Sequence, residues 1–128
     1  MKHIEIELRY HILNTQQLVP FLAPFEKLHR KHDIDIYLDT PQGILYQRGI
    51  FIRIRNGKKL DIKFNRACLD NPALAIQDHC EEYSFALPLV SHDLPKINDL
   101  LTSLNLKPIA MADLALLKSM NNLDTHYT

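Results

Sequence analysis

Gly49-Ile50-Phe51-Ile52-Arg53-Ile54-Arg55-Asn56-Gly57-Lys58-Lys59-Leu60-Asp61-Ile62-Lys63-Phe64-Asn65 is the stretch that decides the fold. Ile50, Ile52 and Ile54 alternate with Arg53 and Arg55, while Phe51 joins the charged side. Leu60, Ile62 and Phe64 alternate with Asp61, Lys63 and Asn65. A period of two marks a β-strand, because successive side chains there point to opposite faces. Between the two runs, Asn56-Gly57 supplies residues that tolerate the positive φ angles of a tight hairpin turn. The stretch therefore predicts two antiparallel strands, 50–55 and 59–65, with one aliphatic and one charged face.

Working outward, the pattern recurs. Ile4, Ile6 and Leu8 oppose Glu5, Glu7 and Arg9, and Tyr83, Phe85 and Leu87 oppose Glu82 and Ser84. A further strand is predicted over 34–38, ending at Asp39-Thr40-Pro41-Gln42-Gly43, a run of turn-forming residues. The last strand, from about Glu81 to Leu87, stops at Pro88. Leu18, Phe21, Leu22, Phe25 and Leu28 recur at helical spacing after Thr15, with Pro20 and Pro24 implying a late start or a kink. Ser91 or Asp93 caps a second helix carrying Leu94, Ile97, Leu100, Leu101 and Leu104. Residues 45–48 read as a helical turn or an extended link, 66–79 as a loop, and Leu114, Leu116 and Leu117 as helix or strand. Aliphatic sheet faces pack against helices, so the expected class is α+β. Ile4, Ile6, Ile52, Ile54 and Ile62 are expected to be buried against those helices.

Composition bounds the rest. The 128 residues suit one domain, 1–128, with 46% hydrophobic and 23% charged residues. Fifteen basic residues balance fifteen acidic ones, which argues against a nucleic-acid partner. Cys68 and Cys80 make no disulfide framework. The N-terminus has no apolar run, and no stretch approaches the ~18 apolar residues that span a bilayer, so no membrane partner and a cytoplasmic location are expected. The seven histidines form no paired metal motif on a helix face, and neither cysteine has the partners of a nucleophile.

A charged sheet face is ordinarily just a solvated one. Two features set this one apart. Its charges are sorted, with carboxylates on the first strand, guanidinium groups on the third and an ammonium on the fourth. Its cations include arginine, whose planar fork matches phosphate oxygens two at a time.

These residues carry a resemblance. Glu5-Ile6-Glu7-Leu8-Arg9 resembles the ExExK opening of CYTH proteins, the triphosphate tunnel metalloenzymes. Tyr37-Leu38-Asp39-Thr40-Pro41 is similar to that family's aromatic-Asp-Thr-Pro turn. Gly49 to Arg55 resembles its G-x-x-LRIR strand, Leu60 to Lys63 its LTLK strand, and Glu82 to Pro88 its later E-Y-x-V-x-L segment. The resemblance implies a strongly curved antiparallel sheet forming part of a tunnel barrel, with helices outside. It implies that the domain binds, and in an active member hydrolyses, an inorganic or organic triphosphate with Mg²⁺ or Mn²⁺. Glu5, Glu7 and Glu82 would hold the metal, Arg53, Arg55 and Lys63 would grip phosphates, and Glu5, Glu7 and Arg9 would form the catalytic set.

The departures shape the expectation. Arg9 stands for a lysine and Ser84 for a second glutamate, and strands resembling R-x-R or E-x-E are missing from 109–128. Weak or absent turnover is therefore expected. The alternatives are a non-catalytic polyphosphate- or nucleotide-binding module, or an inactive truncated member. Unpaired sheet edges predict a homodimer; the rival is a monomer whose residues 109–128 fold back over one edge or plug the groove.

Overall fold

The computed structural model describes residues 2–6, 11–26, 31–66, 69 and 79–126, with backbone alone for His3, Glu5, Ile6 and His79. The hairpin forms where the sequence places it. Strand β3 spans Ile50–Arg55 and β4 spans Lys59–Phe64, in antiparallel register with Arg53 opposite Asp61 and Phe51 opposite Lys63. Asn56 and Gly57 take φ angles of 55° and 64°, and the Lys58 amide closes the turn on the Arg55 carbonyl at 3.0 Å.

The remaining strands are β1 (Lys2–Ile6), β2 (Asp35–Asp39), β5 (His79–Ala86) and β6 (Asp124–His126). They build one six-stranded antiparallel sheet in the order β1-β5-β4-β3-β2-β6. Helices α1 (Leu18–Leu22), α2 (Ile44–Gln47), α3 (Leu94–Ser103) and α4 (Leu114–Met120) complete an α+β fold. The stretch left open at 45–48 is helical, as is the one around Leu114. The three-residue strand β6 was not foreseen, because it is too short to display a period.

The apolar sheet face and the helices share one core. Ile50, Ile52, Leu60, Ile62, Phe64 and Phe85 pack with Leu45 of α2, with Ile97, Leu100 and Leu101 of α3, and with Leu117 of α4. Two polar devices join the helices to it. The Asn98 side chain donates to the Ile109 carbonyl and accepts from its amide, both at 2.8 Å. Arg48 donates to the Leu104 carbonyl at 2.6 Å.

The turn after β2 has a structural purpose. The Asp39 carboxylate, 8% exposed, accepts from the amides of Thr40 (2.7 Å), Leu45 (2.9 Å) and Tyr46 (3.1 Å). The Thr40 hydroxyl accepts from the Ile44 amide at 3.0 Å. Together they satisfy the N–H groups that open α2, which have no partner inside the helix. Replacing such a cap with alanine costs about 0.5–2 kcal/mol, and Asp39→Ala should fall near the top of that range because three amides lose their acceptor. Urea denaturation measures it; an unchanged midpoint would show the turn to be held by other contacts.

Three expectations are corrected. The sheet is open and not strongly curled, with β1 and β6 at opposite ends of the order rather than paired, so the strong curvature is absent and the described strands do not close a barrel. Alternation reports which face a residue occupies and carries no information on how far a sheet bends. The first helix is also shorter and more exposed than its spacing predicts. It stops at Leu22, and Val19, Phe21, Leu22 and Phe25 are 48–75% exposed. Pro24 has no amide to donate to the Pro20 carbonyl, so the helix cannot continue through it; Leu28 lies outside the described residues. Finally, Ile52 and Ile62 are fully buried and Ile54 partly so, but Ile4 is 54% exposed. It sits on the edge strand β1, which pairs only with β5 among the described strands. The side chain of Ile6 is not described.

Candidate functional site

The charged residues of β2 to β5 meet on the face opposite the core, because cross-strand partners in an antiparallel ladder share a side. The register aligns Tyr37, Arg53, Asp61 and Ser84 in one row, and Asp35, Arg55 and Lys59 in the next. A third row holds Phe51, Lys63 and Glu82. Arg53, Arg55, Lys63 and Glu82 are thus brought together as the sequence predicts. Glu5 stands opposite Cys80 in the β1–β5 register, two positions along β5 from Glu82, and its side chain is not described. Glu7 and Arg9 lie outside the described residues.

Arg53 is the centre of the face. Its Nε donates to Asp61 Oδ2 at 2.9 Å and its Nη2 to Glu82 Oε1 at 3.3 Å, with Asp35 Oδ2 at 3.6 Å from Nη1. The Asp61 side chain is fully buried, that of Glu82 is 6% exposed and that of Arg53 13%. Ser84 donates to Asp61 Oδ1 at 2.7 Å, and Lys59 Nζ lies 3.5 Å from the same oxygen. Burial works against the charge on Arg53, but hydrogen bonds to Asp61 and Tyr37 outweigh it and raise its pKa. Burial likewise opposes ionisation of Asp61, and the hydrogen bonds from Ser84 and Arg53 overcome it and hold that carboxyl below the ordinary aspartate range.

Arg55 is held differently. Its Nε and Nη2 donate to the two oxygens of one carboxylate, Asp35, at 2.8 and 2.7 Å. Its Nη1 lies 3.6 Å from Asp33 Oδ2. The Arg55 hydrogen bonds lower the pKa of Asp35, and the same pair raises that of Arg55. Asn56 fixes this corner. Its side chain accepts from the Ile34 amide at 2.8 Å and donates to Asp33 at 3.0 Å, while its own amide donates to the Ile34 carbonyl.

The charges are therefore interleaved rather than sorted strand by strand. Asp33, Asp35 and Asp61 were missed as members of the site. Their signal was present: Asp33, Asp35 and Tyr37 alternate with Ile34, Ile36 and Leu38, the same period that placed Arg53 and Arg55. Aromatic rings border one end, where Phe51 meets Tyr37 and Tyr46 edge-on at centroid separations of 6.5 and 5.9 Å.

Among the described residues no three His, Cys, Asp or Glu side chains are arranged to hold a metal ion. Glu82, the described member of the expected metal set, is engaged by Arg53. The described donors alone therefore do not make a Mg²⁺ or Mn²⁺ site, which takes several oxygen ligands around one ion. No helix among the described residues is long and apolar enough to cross a membrane. The chain matches no protein-family model and no curated protein.

Proposed function

We propose that the charged sheet face binds a polyphosphate chain, as inorganic triphosphate or as the triphosphate of an organic molecule. The observation that carries the reading is the shared placement of Arg53, Arg55, Lys59 and Lys63 on one face of the adjacent strands β3 and β4. A phosphate chain presents negative oxygens at successive positions along its length, and successive cations on neighbouring strands suit it better than they suit a single anion. Arginine adds two parallel N–H donors to each phosphate it meets. The five motifs that resemble triphosphate tunnel proteins point the same way.

Binding without turnover fits these residues better than hydrolysis. Phosphoryl transfer needs metal ions and cations placed to neutralise developing charge. Here Arg53 is committed to Asp61 and Glu82, and the same contact occupies a carboxylate expected to hold metal. Glu5 and Glu7 would have to complete a metal site with Glu82.

Calorimetry with sodium tripolyphosphate and orthophosphate tests the reading. Wild type should bind tripolyphosphate more tightly. Arg55→Ala should lose roughly ten-fold or more, since a charge-assisted hydrogen bond contributes about 1.5–3 kcal/mol. Arg55 is the better probe because its pair is more exposed than that of Arg53 and its removal leaves no fully buried carboxylate behind. Equal binding by the two proteins would overturn the proposal.

A further inference from the structure

Asn56 has two roles at the tip of the β3–β4 hairpin. Its backbone takes the positive φ of the turn, and its side chain latches the tip to Asp33 and Ile34, the residues that lead into β2. It is also the only asparagine in the chain followed by glycine. That order carries chemistry of its own. The nitrogen of the next residue can attack the carbonyl carbon of an asparagine side chain, and glycine, with no side chain, hinders the approach least. Gly57 is exposed, with open space where a Cβ would stand. Its amide donates no hydrogen bond among the described residues, whereas the amides on either side are engaged, Asn56 with Ile34 and Lys58 with Arg55.

We propose that Asn56 is a site of spontaneous deamidation, and that its latch to Asp33 sets both the rate and the consequence. The Gly57 nitrogen gives up its proton and forms a bond to Asn56 Cγ. The Cγ–Nδ2 bond breaks, and Nδ2 leaves as ammonia with that proton, which closes a cyclic imide. Water then opens the ring at either carbonyl, giving aspartate or isoaspartate, and no other reactant is needed. The folded corner opposes the first step. Nδ2, the leaving group, donates to Asp33 at 3.0 Å, and Oδ1 accepts from the Ile34 amide at 2.8 Å. These bonds hold the side-chain amide against the start of β2, so turning its carbon toward Gly57 requires the corner to open. The observed rate is that of the open corner multiplied by the fraction of time it is open. Neither product offers Asp33 an N–H, so the latch is lost for good. A carboxylate at 56 faces Asp33 with like charge in place of a hydrogen bond. Isoaspartate also adds a carbon to the backbone inside the turn that Lys58 and Arg55 close at 3.0 Å. Asp33 lies 3.6 Å from Arg55 Nη1, so the corner that loosens is the one that borders the charged face.

Incubation of the whole chain at mildly alkaline pH, folded and in urea, tests this. Peptide mass spectrometry assigns the converted residue, and isoelectric focusing follows the new negative charge on a chain whose formal net charge is zero. Asn56 should convert, and the folded chain should lag the unfolded one by about ten-fold or more, since opening the corner breaks two hydrogen bonds, one of them to a charged group. Folded Asp33→Ala should convert about three- to ten-fold faster than folded wild type, the weight of one exposed hydrogen bond, and at the wild-type rate in urea. Asn56→Asp, which builds one product directly, should unfold at a lower urea concentration than wild type. An Asn56 that stays unconverted in urea would overturn the site. Equal rates for folded and unfolded wild type, or folded Asp33→Ala converting no faster than wild type, would overturn the latch. If Asp33→Ala fails to fold, the comparison of folded and unfolded wild type decides alone. An unchanged urea midpoint for Asn56→Asp would overturn the loosening of the corner.

Discussion

Arg53→Met should lower the stability of the folded chain by about 3–5 kcal/mol, the cost of breaking a buried ion pair by removing one partner. Methionine fills much of the space, so packing loss is kept small. What remains is the fully buried Asp61 carboxylate and the nearly buried Glu82, each without the guanidinium that compensated it. Dependence on pH separates charge from packing. Asp61 and Asp35 are held below the ordinary carboxyl range when folded, so the unfolded chain binds more protons in acid. Their stabilisation is fully present above the unfolded aspartate pKa of about 3.9 and is lost as pH falls through the folded values. Wild type should therefore weaken in that acid range. The penalty of Arg53→Met should shrink over the same range, because a protonated Asp61 no longer requires a cation. Urea denaturation from pH 7 to pH 3 gives both curves. A penalty that stays constant across that range would mean Arg53 contributes bulk rather than charge.

Leu101→Ala should cost about 2–5 kcal/mol, whereas Leu22→Ala should stay within about 0.5 kcal/mol of wild type. Leu101 lies in α3, is fully buried, and belongs to the cluster that joins α3 and α4 to the sheet. Truncating it removes contacts and leaves a cavity that a close-packed interior relaxes into only partly. Leu22 ends α1 and is 48% exposed. The contrast matters because both leucines carry the same helical-spacing signal in the sequence. Thermal melting of the two variants decides it. Equal losses would mean that the segment around α1 is packed against the core after all.

Arg53, Arg55, Lys63 and Glu82 share one face of the sheet, and the resemblance to triphosphate tunnel proteins implies a metal site at Glu82. The acidic pair that would complete it, Glu5 and Glu7, includes one residue described by backbone alone and one outside the described residues.

Some of this protein was decided by local sequence. The β3–β4 hairpin followed from alternation and from Asn56-Gly57, because side-chain direction in a strand and positive φ in a turn are properties of the residues themselves. The same local rule put Arg53, Arg55, Asp61 and Lys63 on one face and Ile52, Leu60 and Ile62 on the other. The Asp39-Thr40 turn was legible as a turn, but only the fold showed its carboxylate capping α2. Helical spacing made Leu22 and Leu101 look alike. Which one entered the core depended on Pro24 closing off α1 and on α3 packing against the sheet. The openness of the sheet came from which strands became edges, a matter of long-range pairing order rather than of any strand's own pattern. The pairing of charges was likewise tertiary. Asp35 is 20 residues from Arg55, and Glu82 is 29 from Arg53. Sequence fixes which groups carry charge and on which face; only the register of neighbouring strands brings one carboxylate within hydrogen-bonding distance of one guanidinium.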